Sequence, residues 1–308
     1  MPAEDDKHLL MGMGGLIGVS LSMQRVYKLI HTASMHHYPV VIVGERGTGK
    51  GAAARSIHSI SRRKDSSFVS VSCARRAPPL REAELFGRAG GSQGLASFAG
   101  SGTLFLDEIS ELELYLQTKL LQTLHEKAVW PIDAIFPVPF NARVISATHK
   151  DLAEQVTEGA FRQDLFLELS ALRIELRPLR ERKNDIPLLV DYFIGRYTEP
   201  ASRVVFSAAA MNYLLAYDWP GNVRELEATV QRALSFASDP VSVDLQRELR
   251  NEWPGRNEAP QTSECELERD AIVRALRETA GDTTAAAHHL GIGKTTLKRR
   301  LMFHGLEF

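Results

Sequence analysis

The run GERGTGKG at residues 44–51 constrains the fold of this chain more than any other stretch of its length. It follows a β-branched, strand-like run at 40–43 and precedes a helix-compatible stretch at 52–60. A glycine-rich turn between strand and helix lets main-chain N–H groups curl around phosphate oxygens, and the helix N-terminus adds a favourable dipole. Gly44, Gly47 and Gly49 supply the freedom, Glu45, Arg46, Thr48 and Gly51 complete the turn, and Lys50 brings a cation to the β- and γ-phosphates. The strict pattern wants Ser or Thr after the lysine as a magnesium ligand. Gly51 stands there, so taken alone the run also fits an ordinary glycine turn.

A second element narrows the choice. Residues 104–106 form an apolar run ending in Asp107 and Glu108, a strand closed by two carboxylates. In a parallel sheet this strand end is expected beside the phosphate loop, where Asp107 can hold magnesium through water and Glu108 can orient an attacking water. A strand ending in solvated acids is the plainer alternative. Together the two elements favour binding of ATP with Mg2+.

The rest of the chain fits an α/β fold. Strand-like runs at 40–43, 68–72, 103–106, 144–147 and 172–176 alternate with helical patterns, which implies a parallel sheet covered by helices on both faces. Leucines at helical spacing over 112–124 supply one of those helices. From 186 to 237 the pattern is helical throughout, with Ser207 placed as an N-cap. Residues 239–263 gather Pro, Gly, Asn and Asp without periodicity and read as a linker. The expected organisation is a tail at 1–15, a P-loop core at 16–182, a helical lid at 183–238, the linker, and a final all-helical unit at 264–308.

That final unit has the layout of a helix-turn-helix. Residues 283–290 are compact, Gly291–Ile292–Gly293 makes the turn, and residues 294–304 form the second helix, with Ile292, Leu297 and Leu301 as its apolar stripe. Between positions 283 and 306 there are four Lys or Arg residues and no acid. Thr295, Thr296, Lys298, Arg299 and Arg300 form the expected DNA contact set, the basic members fixing phosphate register and the threonines or an arginine reading base edges. A helical hairpin that only dimerises the protein is the alternative. His288 and His289 have no partner at metal-ligand spacing and read as packing or surface residues.

Bulk properties exclude other classes. The formal net charge of the 308 residues is -1, so DNA contact must come from such a local patch. The two cysteines, Cys73 and Cys265, lie far apart and outside metal-ligand spacing, as free thiols in a reducing compartment would. The apolar stretch at 9–19 follows three acids and is shorter than the roughly 20 residues a membrane span needs, so a cytoplasmic location without membrane contact is expected.

At this point the chain resembles the AAA+ domain of the sigma-54-dependent activators, the bacterial enhancer-binding proteins. The resemblance rests on LIGVSLSM at 16–23, GERGTGK at 44–50, ELFG at 84–87, GTLFLDEI at 102–109, ATHKDL at 147–152, FRQDLF at 161–166, PLRERKNDIPLL at 178–189 and WPGNVREL at 219–226. It extends to the C-terminal unit, which is similar to the Fis-type module. The resemblance implies an α/β AAA+ core with a helical lid, assembled as a ring. It further implies that Lys50 binds phosphate, Asp107 binds magnesium, Glu108 is the catalytic base and Thr148 is the first sensor. Arg162 would be an arginine finger reaching the neighbouring subunit, and Arg224 would sense the γ-phosphate.

Three departures bear on function. The family's GAFTGA loop, which touches the sigma factor, is replaced by RAGGSQGLASFAGS at 88–101. Ser72 stands where the family places an asparagine that gates the catalytic glutamate, and its hydroxyl has a shorter reach. Glu168 replaces the family's second arginine near the finger. Arginine fingers are worth roughly 10³–10⁵ in rate. The expectation is therefore an ATP-binding, DNA-binding transcription regulator, impaired in hydrolysis and in sigma-54 remodelling. Its expected partners are enhancer or promoter-proximal DNA, RNA polymerase holoenzyme, and copies of itself or a paralogue in a mixed ring. An active sigma-54 activator with a diverged loop is the main alternative; an ATP-driven motor and a nonfunctional remnant are the others. No sensing domain is seen before Leu16, so control is expected from expression level, a separate protein or nucleotide itself.

Overall fold

The computed structural model describes residues 11–13, 15–74, 78–198 and 205–235, with the isolated positions 279 and 283. The elements below all belong to the first of two compact units, Met1–Leu245. The DNA-contact set Thr295, Thr296, Lys298, Arg299 and Arg300 and the linker at 239–263 lie outside the described residues.

The chain enters through a short antiparallel ladder, β1 (Met11–Met13) against β2 (Leu16–Ile17). Ser20 then caps α1 (Leu21–Met35), accepting from the Met23 N–H at 3.3 Å. The main sheet is built from β3 (Val40–Val43), β4 (Phe68–Ser72) and β5 (Thr103–Asp107), with α2 (Lys50–Ser59), α3 (Pro78–Phe86) and α4 (Leu95–Phe98) between them. After α5 (Leu114–Glu126), a small hairpin pairs β6 (Ala128–Val129) with β7 (Val138–Pro139). β8 (Arg143–Thr148), α6 (Leu152–Thr157), α7 (Gln163–Leu169) and β9 (Leu172–Glu175) complete the α/β part. The expected strands are all present, with ends within a residue of those read from the sequence.

The five main strands are parallel, in the order β4-β5-β8-β3-β9. Alternation along each strand sends side chains to opposite faces. Val41, Val71, Leu104 and Leu106 meet Leu85, Leu116, Leu120 and Leu165 on one face. Val40, Ile42, Phe105 and Ile145 meet Met23, Ile30, Ala54 and Ile57 of α1 and α2 on the other. The i, i+4, i+8 spacing of Leu116, Leu120 and Leu124 puts all three on the core side of α5. Each such side chain contributes about 1.5–3 kcal/mol of burial.

The acid-bearing strand end lies beside the phosphate loop as expected, although β8 runs between β5 and β3. The acids reach the loop across the C-terminal end of β8, at the crevice where ligands of open parallel sheets bind.

The lid comprises α8 (Ile186–Tyr197), α9 (Ala208–Ala216) and α10 (Asn222–Ser235). Ser207 caps α9 as expected, accepting from the Ala210 N–H at 3.1 Å. Trp219, Leu226, Val230, Ile186 and Leu189 form its core, which Ile17 and Leu179 join. No helix among the described residues is long and apolar enough to cross a membrane.

Candidate functional site

The phosphate loop joins β3 to α2 and owes its shape to glycine. Gly47 and Gly49 sit at φ +82° and +105°, where side chains are rarely tolerated. A Cβ on Gly47 would also lie 2.1 Å from the carbonyl oxygen of Gly221 in the lid, so loop and lid touch through bare backbone. The Gly44 N–H donates to the Thr148 carbonyl at 3.2 Å, tying the loop to β8. Thr48 is buried and bonds the Glu45 carbonyl at 2.8 Å, which tightens the turn.

Lys50 opens α2 and is almost wholly buried. Its Nζ donates to the carbonyls of Gly44 at 2.8 Å and Glu45 at 3.2 Å, and lies 3.5 Å from Glu108 Oε1. Burial lowers the Lys50 pKa, against the opposing pull of Glu108 and Asp107. Gly51 follows it in the helix; a Cβ there would meet Arg55 and Phe105 no closer than 3.7 Å, so packing does not demand a glycine.

Asp107 ends β5 and Glu108 turns out of it at φ 56°, a left-handed conformation that points the two carboxylates differently. Burial, followed by repulsion from Glu108, raises the Asp107 pKa. No ion pair to Asp107 forms among the described residues, so a bound cation would relieve that repulsion; the donor set fits magnesium. Burial also pushes Glu108 upward, but the His149 hydrogen bond and the Lys50 charge outweigh it and leave its pKa lowered.

The remaining expected residues fall into two groups. Arg224 approaches the loop: its N–H donates to the Gly47 carbonyl at 3.3 Å, and its charge acts on both Lys50 and Asp107. Thr148 ends β8 beside the acids, but its hydroxyl is engaged by Ser110 Oγ at 3.1 Å and by the Lys150 main chain at 3.0 and 3.1 Å. Arg162 stands apart at the N-cap of α7, on the surface, held by Asp164 at 2.6 and 3.0 Å and by Thr118 Oγ1 at 3.3 Å. Glu168 faces His125 Nε2 at 3.6 Å, also on the surface. Ser72 pairs in register with Asp107.

The structure adds residues that the sequence reading missed. His149 is the principal partner of Glu108, through its ring Nδ1 and through its main-chain N–H at 3.3 Å. Glu45 latches the lid through its side chain: Arg180 grips it at 2.6 and 2.9 Å, and Asn222 Nδ2 adds 3.1 Å. Asn222 also donates to the Arg46 carbonyl at 3.0 Å and accepts from the Leu179 N–H at 2.7 Å. Buried Arg182 donates to the Thr48 carbonyl at 2.9 Å and faces Asp185 at 3.9 Å. Asp185 in turn accepts from the N–H groups of Val19 and Ser20. These contacts join segments up to 177 residues apart, which local pattern cannot reveal. One turn along α2 from Lys50, a cavity of about 950 Å³ opens between Ala52 and Arg55 and the lid residues Asp191, Tyr192, Gly195 and Arg196.

Comparison with known proteins agrees with this geometry. The Sigma-54 interaction domain matches residues 16–175, the AAA+ ATPase lid domain 180–262, and the Fis family of bacterial regulatory proteins 266–302. The transcriptional regulatory protein ZraR of Salmonella typhimurium is 36% identical over 93% of this chain and 68% of its own length. The DNA-binding transcriptional activator HyfR of Escherichia coli is 37% identical over 96% of this chain and 48% of its own length. Among solved structures, NtrX from Brucella abortus in complex with ADP superposes with a TM-score of 0.72 at 27% identity, covering 98% of this chain and 72% of that one. Its complex with ATP gives 0.69 at 28%, covering 98% and 71%. With a phosphate loop, an acidic strand end and a lid in place, and a Fis-type DNA-binding module behind them, the chain belongs to the sigma-54-dependent transcriptional activators of the AAA+ class.

Proposed function

We propose that this chain binds magnesium-ATP between the phosphate loop and the acidic pair, turns it over slowly or not detectably, and regulates transcription from DNA without itself remodelling sigma-54. The observation that carries the second half is the short segment after α3. The Ala89 N–H donates to the Ile132 carbonyl at 2.8 Å, the Ile132 N–H donates to Gly87 at 2.9 Å, and Gly87 bridges Gln93. A loop that pushes on a partner must project, whereas this one commits its main-chain groups to the neighbouring hairpin.

Lys50 would draw the phosphates, and Asp107 would hold magnesium, which supplies charge neutralisation at the β- and γ-phosphates. Glu108 would orient water, with Thr148 and Arg224 as sensors and the cavity along α2 taking the base and ribose. Arg162, already exposed, would serve the neighbouring subunit of a homo-oligomer or of a mixed ring with a paralogue. Glu168 would place a negative charge near that site. At an effective dielectric near 20 and about 5 Å, one such like-charge pair with a phosphate costs roughly 3 kcal/mol before screening. Thr295, Thr296, Lys298, Arg299 and Arg300 would contact enhancer or promoter-proximal DNA, with RNA polymerase holoenzyme as the downstream partner.

The second reading, an active sigma-54 activator with a diverged coupling loop, is favoured by the intact approach of Lys50 to Glu108. In vitro transcription with sigma-54 polymerase, with phosphate release followed in the same tube, separates the two. The proposal expects bound ATP, little release and no hydrolysis-dependent open complexes. Open complexes that require hydrolysis would establish the second reading instead.

A further inference from the structure

Glu108 is held from two sides, and the two restraints differ in kind. Oε1 faces Lys50 Nζ at 3.5 Å, longer than a good charge-assisted hydrogen bond. Oε2 takes both the ring Nδ1 and the main-chain N–H of His149. A carboxylate in its ionised form only accepts, so the His149 ring carries its proton on Nδ1. An arriving triphosphate competes for Lys50, whose job is to meet phosphate.

We propose that His149 is the positioning residue for Glu108, parking the carboxylate against the end of β8 so that it must be released before it can orient water. The inference rests on the nucleotide-binding reading above and deepens it by assigning the control of the same site. The resemblance places this gate on β4, at the position of Ser72; in this chain it sits just past the end of β8 instead. Ser72 lies in register with Asp107, while the side chain of Glu108 swings toward His149.

His149 is itself poorly free to follow a moving partner. Thr148 before it is anchored by the Gly44 N–H at 3.2 Å and by Ser110, and Lys150 after it is pinned to Glu111 at 2.8 Å. The ring is nonetheless about one-fifth exposed (21% for its side chain), so it can be reached and replaced without opening the core. Glu108 therefore has a fixed dock and a displaceable one, and His149 is the fixed one.

The test uses the full chain with magnesium-ATP. His149→Ala should bind ATP with unchanged affinity by calorimetry but turn it over about tenfold faster at unchanged KM, the size of one lost charge-assisted hydrogen bond. His149→Asn, which keeps a short side-chain donor and the main-chain N–H, should return turnover toward the wild-type rate. Nitrogen-15 NMR supplies a readout independent of turnover: the His149 Nδ1 signal should move in Glu108→Gln, and again when a non-hydrolysable ATP analogue and magnesium are added. Failure of the wild type to bind ATP would remove the nucleotide reading and this one with it. Normal ATP binding with a His149→Ala rate at or below wild type overturns the gate alone. Should His149→Ala fail to fold, an Nδ1 signal indifferent to Glu108→Gln overturns it equally.

Discussion

The phosphate loop and the segments at 87–94, 127–140 and 162–168 are held by different physics. Around the loop the exposed Arg180–Glu45 pair is backed by buried charges: Arg182 and Asp185 show 1% and 0% of their side chains to solvent. In the other segments the ion pairs are open, as with Arg88–Asp133 at 59% and 74%. Breaking a buried pair is costly because it strands a desolvated charge, whereas exposed pairs are screened and worth about 0–1 kcal/mol. Of the departures that bear on coupling and on the finger, Glu168 and the first half of the replaced loop at 88–101 fall in the open segments, whereas Ala96 and Ala99 of its second half join the core. Change at an exposed ion pair is thus cheaper for folding than change in the buried groups around the loop.

Three substitutions sharpen or break that contrast. The largest effect is expected for Arg182→Leu, which leaves Asp185 charged and buried and frees the Thr48 carbonyl. Denaturant unfolding should show a loss of about 3–5 kcal/mol; a loss under about 1 kcal/mol would mean the buried network does not hold lid to loop. Next comes Gly47→Ala, which adds a methyl 2.1 Å from the Gly221 carbonyl at a positive φ. Strain of about 1–3 kcal/mol should appear as a lowered melting temperature, and an unchanged melt would mean the lid does not rest on the loop. Smallest in free energy is Glu168→Arg, on the surface beside His125. Steady-state phosphate release should rise roughly tenfold or more, with stability altered by under about 0.5 kcal/mol. Unaltered release would shift the cause of slow hydrolysis from the finger to the site interior.

How far the sequence carried the account varies by element. β3 and β4 were legible to the residue, β3 because its β-branched run stops at Gly44 and β4 because residues alternate over 68–72. The β6–β7 hairpin was not. Its paired strands have only two residues each, and its exposed tip carries Ile135 and Phe136, which break the usual alternation. In the candidate site, the places of Lys50 at a helix start and of Asp107 and Glu108 at a strand end were legible, because a glycine turn and an apolar run closed by two acids mark those boundaries locally. His149 was hidden: a histidine beside Thr148 declares no partner until β5 and β8 are set side by side. The side-chain partners of Glu45, Arg180 and Asn222, were equally hidden, since they lie 135 and 177 residues away along the chain.

Isothermal titration of ATP into the folded chain, beside Lys50→Ala, tests the centre of this account most directly. Saturable uptake of the nucleotide by the wild type, weakened roughly 100-fold or more in the variant, is the expected result if Lys50, buried at the start of α2, is the cation that meets the phosphates. Heat indistinguishable from dilution in both proteins would contradict it and leave residues 44–51 a structural turn.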